Sequence, residues 1–341
     1  MNERVTLRDV ADRAGVHVST ASRALNETTR AIVNPATVDR VLKAASALGY
    51  TPNPMARGLR TNRSMTVGIV IPDIQNPLFG PIIAGAESAL GRAGYSLFIT
   101  DTAPVDGAEV ASITTTLLDR RVDGMILATA TLGDRTIDDL VDRGVPAVLV
   151  NRTPDHAELP YIVGDDRTGI GLVVRHLAGL GHHRIGHLSG PTTLSTGVAR
   201  LDAFREGMAE LSLPADAVEE AAWYQVDPGY RAASRLLDRF PDVTALVGAN
   251  DLIALGAYRA VRERGLAVGV DIAVTGYNDI PLLDLMSPPL TSVRVPYREM
   301  GTEAALMLLA IIDRKGDLSP TSLQLSPSLS IRQSSGGRRS G

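Results

Sequence analysis

Residues 5–26 read VTLRDVADRAGVHVSTASRALN, and this stretch predicts two short helices joined by a tight turn. Thr6 and Asp9 have the spacing of a capping box, which opens a helix with one apolar face. Gly15 ends that helix, and a second apolar helical pattern runs from there to Asn26. Two helices joined in this way form a helix-turn-helix, whose second helix can enter the major groove of DNA.

A third helix is predicted next, because Asn34 can cap it, Pro35 suits its first turn and Gly49 can end it. A small three-helix bundle with solvated arginines would give the same pattern, so the geometry alone leaves both readings open. Residues 1–60 contain nine Arg or Lys and five Asp or Glu, a balance of +4. Because the whole chain has a net charge of −4, the remainder carries −8. This asymmetry favours a head that binds a polyanion.

The composition excludes several other classes. The chain of 341 residues is long enough for two or three cores, and it contains no cysteine, which excludes disulfides and thiolate metal sites. The N-terminus carries charges where a signal peptide would need an apolar core. No run approaches ~18 uninterrupted apolar residues. We therefore expect a cytoplasmic protein without a membrane span.

Two long motifs, residues 5–26 and the run LGYTPNPMARGLRTNRSMTVGIVIPDIQNPLF (residues 48–79), resemble the LacI/GalR family of bacterial transcriptional regulators. The resemblance continues to about Gln333. It implies an all-α helix-turn-helix domain, a hinge and a two-lobed α/β body of the periplasmic-binding-protein type. The implied boundaries are 1–52 for the head, 53–64 for the hinge helix and 65–333 for the ligand-binding and dimerisation body (lobe 1 about 65–161 plus 293–333, lobe 2 about 162–292). Residues 334–341 are rich in glycine, serine and arginine, and this composition predicts a disordered tail.

By this resemblance, Val18, Ser19 and Arg23 occupy base-reading positions on the second helix. Arginine suits the two acceptors of guanine, and valine offers apolar contact, for example to a thymine methyl. The family usually has serine where His17 stands, and histidine is a poorer helix cap. The resemblance assigns the remaining DNA contacts, mainly to phosphate in the head and to the minor groove in the hinge, to Thr6, His17, Thr20, Ser22, Asn26, Ala56, Arg57, Leu59 and Arg60.

The hinge segment NPMARGLRTN (Asn53–Asn62) is too short to hold a helix in water, since isolated helices become stable only beyond ~12–15 residues. A flexible linker is therefore expected in the free protein. The resemblance implies that two copies fold together against the minor groove, where Leu59 wedges into a base step and kinks the duplex. The segment is thus predicted to be helical only when a second subunit and DNA are present.

From residue 65 onwards, short apolar runs alternate with helical stretches. The strand-like runs are TVGIVI, YSLFIT, VDGMILA, AVLVN, YIVGDD, RIGHLSG, TALVGAN and DIAVTGYN. This alternation predicts two open parallel α/β sheets, whose ligands bind at the carboxyl ends of the strands. LTSVRVP and the helix that follows it are predicted to cross back to the first lobe.

Several patterns that could indicate an enzyme have simpler explanations. GHHRIGH (Gly181–His187) lacks a carboxylate at ligand spacing, so we predict packing histidines and no metal. Asp165 and Asp166 precede a helix, whose N-terminus favours negative charge, and both are predicted to cap it. No G-x-G-x-x-G follows the first strand, and neither a Walker A motif nor a nucleophile–base pair is present. No catalytic residue and no cofactor is predicted.

The resemblance also supplies candidate effector-binding positions: Leu78, Phe79, Asn151, Thr196, Arg200, Tyr224, Asn250 and Asn278. Amides and a guanidinium can bond adjacent sugar hydroxyls, and an aromatic ring can cover the apolar face of a sugar. A structural role remains open for Phe79 and Tyr224 in the core and for Asn250 as a helix cap. Asn278 replaces a frequent family aspartate, and Leu194 a sometimes basic residue, which argues against a charged, purine-like effector.

The sequence therefore predicts a dimeric, ligand-responsive repressor of a carbohydrate-utilisation operon. Its partners would be a pseudo-palindromic operator in double-stranded DNA, a small-molecule effector such as a sugar or sugar derivative, and a second copy of the chain. The alternative is a sugar-binding protein of a transport system, which would need a secretion signal and no DNA-binding head. An enzyme is the weakest of the three hypotheses.

Overall fold

The computed structural model describes residues 5–26, 29–50, 63–102, 107–119, 122–133, 135–156, 158–314 and 322–336. The chain divides into two compact units, with the boundary between Ser64 and Met65. Most of the predicted hinge, including Ala56, Arg57, Leu59 and Arg60, lies outside the described residues.

The N-terminal unit is the predicted bundle of three helices, α1 (Leu7–Ala14), α2 (Val18–Leu25) and α3 (Pro35–Leu48). Its ends follow from local chemistry. The Thr6 side chain caps α1 in a complete capping box with Asp9. Gly15 and Gly49 end α1 and α3 in the left-handed conformation, which glycine adopts without strain. The three helices bury a small aliphatic core that includes Val10, Ala11, Ala21, Ala24, Val38 and Val41.

The first sheet of the C-terminal unit consists of six parallel strands in the order β11-β5-β4-β3-β1-β2. Its strands are β1 (Thr66–Ile71), β2 (Ser96–Asp101), β3 (Gly124–Leu127), β4 (Ala147–Val150), β5 (Tyr161–Gly164) and β11 (Ser322–Leu325). The helices α4 (Phe79–Arg92), α5 (Gly107–Asp119), α6 (Arg135–Asp142) and α11 (Tyr297–Arg314) accompany it. The central strands are buried along nearly their whole length, as expected for a parallel sheet covered on both faces.

The second sheet has the order β12-β10-β9-β8-β6-β7, and only its edge strand β12 is antiparallel. Its strands are β6 (Ile185–Ser189), β7 (Val218–Glu220), β8 (Ala245–Gly248), β9 (Ala273–Asn278), β10 (Thr291–Arg294) and β12 (Ser328–Ser330). Its helices are α7 (Asp166–Gly179), α8 (Ser195–Glu210), α9 (Val226–Arg239) and α10 (Asp251–Glu263). Short 3₁₀ helices occupy Arg30–Ile32, Leu283–Leu285 and Gln333–Ser335. The two α/β sheets agree with the predicted two-lobed architecture.

The lobe boundaries differ from the predicted ones. Sequence places residues 293–333 in the first lobe, but β10 and β12 pair within the second sheet. β5 belongs to the first sheet, so the chain leaves the first lobe only after Gly164. The edge strands β7, β11 and β12 are absent from the sequence prediction. They are three or four residues long, and their pairing partners rather than an apolar pattern hold them in place.

The tail predicted at 334–341 is ordered in its first residues. Ser334 and Ser335 are buried. The Ser334 hydroxyl donates to the Val274 carbonyl at 2.6 Å and accepts from the Thr291 amide at 2.7 Å. These bonds fix the segment against β9 and β10, so a glycine- and serine-rich composition did not imply disorder here. Residues 337–341 lie outside the described part.

Helices α4 and α11 pack closely because both carry glycine at the contact. A methyl group added to Gly85 would overlap the Arg298 carbonyl oxygen, and one added to Gly301 would overlap the Ile82 carbonyl oxygen. This close approach ties the helix that follows β1 to the helix that follows β10.

We predict that Gly85→Ala lowers the free energy of unfolding by about 1–3 kcal/mol, because the new methyl forces α4 and α11 apart. Gly80, in the same helix, has open space around it. The matched variant Gly80→Ala should be neutral or stabilising by up to about 1 kcal/mol, since alanine favours helix. Urea unfolding of both variants measures the difference. Equal urea midpoints for Gly85→Ala and Gly80→Ala would contradict the close contact between α4 and α11.

Candidate functional site

The second helix of the head presents a polar surface. His17, Ser19 and Arg23 are exposed, whereas Val18 is half-buried and packs against the head core. The remaining predicted contacts in the head are exposed (Thr6) or half-buried (Thr20, Ser22, Asn26).

His17 does cap α2, although the family usually has serine at this position. Its Nδ1 accepts from the Ser19 amide at 3.3 Å and lies 2.8 Å from the Ser19 hydroxyl. Because Nδ1 accepts the amide proton, the neutral ring carries its hydrogen on Nε2. At the other end of α2, the Thr29 hydroxyl and the Arg30 Nε donate to the Arg23 and Ala24 carbonyls. The helix is therefore held at both ends, while the Arg23 side chain points into solvent.

In the C-terminal unit, the three predicted asparagines follow strands, as expected for a cleft at the carboxyl ends of parallel strands. Asn151 follows β4 and has the left-handed φ of 64°, which asparagine tolerates. Asn250 follows β8, where its Oδ1 accepts from the Ile253 amide at 2.8 Å and caps α10. Asn278 ends β9, and its Oδ1 accepts from the Tyr297 hydroxyl at 2.7 Å.

Arg200 is the centre of a buried polar cluster, with 4% of its surface exposed. Its Nε donates to Asp166 Oδ1 at 2.9 Å, and NH1 donates to the Ala249 carbonyl at 2.7 Å. The guanidinium carbon lies 3.9 Å from the ring centroid of Tyr277. Burial alone would lower the pKa of Arg200, but the charge of Asp166 and the nearby tyrosines raise it above the ordinary value. Asp166 is thus the counter-ion of Arg200, whereas Asp165 alone accepts from Thr168 as the cap.

The cluster continues along α8 towards the first lobe. Thr196, one turn before Arg200, lies 3.0 Å from the Tyr224 hydroxyl. The Arg152 guanidinium lies 5.7 Å from the Tyr224 ring and 5.9 Å from the Trp223 ring. Hydrogen bonds from the Thr153 amide to Ser195 Oγ and from Gln225 Nε2 to Asp73 Oδ2 join the two lobes beside it.

A cavity of about 490 Å³ opens next to this cluster. Two of the predicted effector contacts line it, Leu78 and Asn278, together with Tyr297, Val295 and Ile280. Phe79 does not line it. Its side chain is 1% exposed and belongs to the hydrophobic core of the unit. The structure therefore groups Asn278 with Leu78, and Thr196 with Tyr224 and Arg200, while it gives Phe79 and Asn250 structural contacts.

Sequence reasoning missed Arg152, Asp166, Tyr277 and Tyr297. Asp166 is adjacent to the true cap, so the same helix-start signal covered both carboxylates. Tyr277 lies inside an apolar strand, where an aromatic residue is an ordinary core residue. A signal did exist for Arg152, because it follows the predicted Asn151 at the end of the same strand.

The histidines of the Gly181–His187 motif are held by packing and hydrogen bonds. His187 stacks on Phe204 and donates from Nδ1 to the Val247 carbonyl at 2.9 Å. Burial lowers its pKa to about 4. His182 Nδ1 lies 3.0 Å from the Thr244 hydroxyl. Within the described residues, no three His, Asp or Glu side chains gather as a metal site would require.

Residues 6–53 match the family described as bacterial regulatory proteins, lacI family, and residues 174–335 match the periplasmic binding protein-like domain. The HTH-type transcriptional regulator MalR of Streptomyces coelicolor is 37% identical over 313 residues, which cover 89% of each chain. The chain belongs to the lacI family of bacterial regulatory proteins. The resemblance inferred from residues 5–26 and 48–79 is thereby confirmed.

Solved structures of this family share the whole architecture. The Lac repressor dimer bound to operator and the anti-inducer ONPF has a TM-score of 0.88 and 28% identity, and the match covers 98% of this chain and 100% of that one. The complex of the transcriptional regulator CelR with cellobiose has a TM-score of 0.74 and 32% identity, over 97% and 100% of the two chains. Among the described residues of this lacI-family chain, no helix is long and apolar enough to cross a membrane.

We predict that Arg200→Met lowers the free energy of unfolding by about 3–5 kcal/mol, because it leaves Asp166, whose side chain is only 13% exposed, without its counter-ion. Arg167 is the control, since its pair with Glu206 is exposed on the same face of the lobe. Arg167→Met should cost at most about 1 kcal/mol. Chemical unfolding at neutral pH tests both, and a similar small loss in the two variants would refute the role of the Arg200–Asp166 pair.

Asp251, the first residue of α10, is a second buried carboxyl in this lobe. Its Oδ1 accepts from the Ser292 hydroxyl at 2.5 Å, and its Oδ2 accepts from the Ile280 amide at 2.9 Å. Burial raises its pKa to about 7, although these hydrogen bonds favour the charged form.

Because the folded protein raises the pKa of Asp251, the protonated carboxyl stabilises the fold fully below pH 3.8, and this contribution is lost as the pH rises through about 7. Asp251→Asn stays neutral throughout. The unfolding free energy of Asp251→Asn minus that of the natural chain should therefore be about 1–3 kcal/mol larger at pH 8 than at pH 4. Urea unfolding at both pH values measures this gain, and the exposed Asp202→Asn should show none. An unchanged difference at the two pH values would contradict the raised pKa.

Proposed function

We propose that the chain is a ligand-responsive, sequence-specific DNA-binding repressor that acts as a dimer on a pseudo-palindromic operator. The observation that carries this proposal is one continuous chain with a helix-turn-helix head and a two-lobed body that has a buried polar cluster beside a cavity. Family membership supports the same combination, because the relatives named here as regulators match over almost the whole length of the chain.

In this proposal α2 enters the major groove. Arg23, exposed and unobstructed on α2, would donate its two parallel N–H groups to guanine, and Ser19 would make a permissive contact. His17 would donate from Nε2 to a phosphate, since its Nδ1 is engaged within the helix cap. Val18, which is partly buried against the head core, would offer only limited apolar contact to a base. Thr6, Thr20, Ser22 and Asn26 would set the register on the backbone.

A second copy of the chain is proposed to cover the edge of the first sheet. β2 is the edge strand of that sheet, and its Phe98 and Ile99 are 48% and 47% exposed. Open strand edges with apolar side chains favour pairing with another chain. A dimer would bring two heads to one operator, so that each reads one half-site.

The proposed effector is a carbohydrate or a derivative of one. Arg200, Thr196 and Asn278 supply hydrogen-bonding groups, and Tyr224 and Trp223 supply aromatic faces, which together suit a ring with many hydroxyls. The CelR relative, solved as a complex with cellobiose, supports this class. Control of a carbohydrate-utilisation operon would follow from such an effector.

Effector binding is proposed to act through the hinge at 53–64. If closure of the lobes alters the folding of the hinge helices, then Ala56, Arg57, Leu59 and Arg60 reach the minor groove in only one of the two states. Linkage requires that operator DNA change effector affinity by the same factor by which effector changes operator affinity.

The test is binding to DNA fragments from upstream of the chain's own gene and its neighbours, measured by fluorescence anisotropy with a salt titration. Arg23→Ala should weaken binding to the selected operator by roughly 5–150-fold, because it removes a bidentate contact to a base. Arg40→Ala, on the exposed face of α3, should leave affinity within about twofold. Loss of binding in both variants, or in neither, would rule out α2 as the reading helix.

A further inference from the structure

A second buried arginine beside the cleft, Arg152, has no counter-ion among the residues that the structure describes. Arg152 follows β4 in the first lobe, and only 5% of its surface is exposed. In the described part of the chain, its buried Nε has no hydrogen-bond partner, and no carboxylate contributes to its electrostatic environment. Its neighbours are the Trp223 and Tyr224 rings and, further off, the positive charge of Arg200.

This environment leaves a surplus of positive charge between the lobes. Arg200 is neutralised by Asp166. Asn278 contributes an amide, and burial raises the pKa of Asp251 to about 7, so that carboxyl carries only part of a negative charge at neutral pH. Burial and the repulsion of Arg200 lower the pKa of Arg152 to about 10, partly offset by Tyr224, so the guanidinium stays charged at neutral pH. One guanidinium is therefore held there with no carboxylate beside it in the described ranges of the chain.

Packing alone does not account for such an arginine. Cation–π contacts with two rings at nearly 6 Å stabilise a cation only weakly, whereas a buried charge without a partner carries a large desolvation cost. Groups that are costly in the free protein and useful only on binding are typical of ligand sites.

We propose that Arg152 binds an anionic group of the effector, and that the effector is therefore an acidic carbohydrate with a carboxylate or a phosphate. The inference rests on the proposed function, because it names the chemical class that the cleft of that regulator takes. A carboxylate or phosphate would accept two parallel hydrogen bonds from the guanidinium, the strongest arrangement open to it. The hydroxyls of the same molecule would reach Thr196, Tyr224 and Arg200.

Because Arg152 lies where the two lobes meet, binding of an anion there would also change how the lobes are arranged. Arg152 belongs to the first lobe, whereas Trp223 and Tyr224 belong to the second. The adjacent Thr153 makes the hydrogen bond to Ser195 that joins the lobes. Arg152 does not line the cavity at Leu78 and Asn278, and only 5% of its surface is exposed, so we propose that the anion enters when the lobes separate. Binding would then favour the lobe arrangement in which the guanidinium is neutralised.

The first experiment compares stability without ligand. If Arg152 has a ligand-binding and not a structural role, Arg152→Met removes an uncompensated charge from the free protein. The melting temperature should then stay unchanged or rise. If the residue were structural, the melting temperature of Arg152→Met would fall as far as that of Arg200→Met. Such a fall would overturn the proposal.

The second experiment measures ligand binding with Trp223, the only tryptophan of the chain, whose fluorescence reports on the site itself. The probes are inorganic phosphate, glucose 6-phosphate, glucuronate and gluconate, with glucose as the neutral control, all at constant ionic strength. At least one acidic sugar should bind more tightly than glucose and raise the melting temperature. Comparison of glucose 6-phosphate with glucuronate and gluconate shows whether the bound anionic group is a phosphate or a carboxylate.

Arg152→Met should weaken the binding of that acidic sugar by about 30-fold or more, and Arg152→Lys should retain part of the affinity that Arg152→Met loses. Arg175→Met, at an exposed pair with Glu210, is the matched control and should leave binding unchanged. Equal binding of glucose and the acidic sugars, unchanged binding in Arg152→Met, or no response to any anion would each refute the inference. Operator binding is measured separately on the same proteins, so a failure to bind DNA would contradict only the proposed function.

Discussion

The ion pair between Arg200 and Asp166 is the contact on which the second lobe's part of the cleft depends. A buried guanidinium is costly unless a carboxylate neutralises it and its N–H groups are bonded, and Asp166 and the Ala249 carbonyl meet both conditions for Arg200. The pair fixes the start of α7 against the middle of α8 and the end of β8. Two glycines then let aromatic rings approach it, since a side chain at Gly169 or Gly190 would collide with Tyr277 or Tyr224. Tyrosine hydroxyls and a threonine thereby surround one neutralised charge.

The opposite wall of the cleft follows a different principle. Arg152 is as deeply buried as Arg200, yet no carboxylate of the described residues neutralises it, so the charge is balanced on one side of the cleft and unbalanced on the other. Hydrogen bonds between Thr153 and Ser195, and between Gln225 and Asp73, close the lobes around this unbalanced charge. A ligand that neutralises Arg152 would change the free energy of lobe closure. It would contact Arg152 in the first lobe and Thr196, Tyr224 and Arg200 in the second. Specificity and conformational response would then come from the same contact.

The helix ends of the head are fixed by contacts between residues that are close in sequence. Thr6, His17 and Asn34 each cap the helix that follows them, and the residues after α2 bond its last carbonyls. A core of mainly alanine and valine side chains is small, so well-capped helix ends contribute a large share of the order. The exposed face of α2 is thus fixed by contacts within the head, with Arg23 and Ser19 outward and Val18 partly inward.

By itself, the sequence determined the three helices of the head, most strands of both sheets and the family, because caps, glycine stops and apolar periodicity act over a few residues. The family resemblance placed Arg200, Thr196 and Tyr224 in one candidate site, and the structure brings these three side chains close together. Tertiary structure alone decided that Phe79 joins the core and that Asp166 is a counter-ion rather than a cap. It alone placed β10 and β12 in the second sheet and buried Ser334 against Val274, 60 residues away in the chain. Each of these outcomes depends on a partner distant in sequence, and burial, which makes a charge costly and a hydrogen bond necessary, exists only once the two sheets have packed.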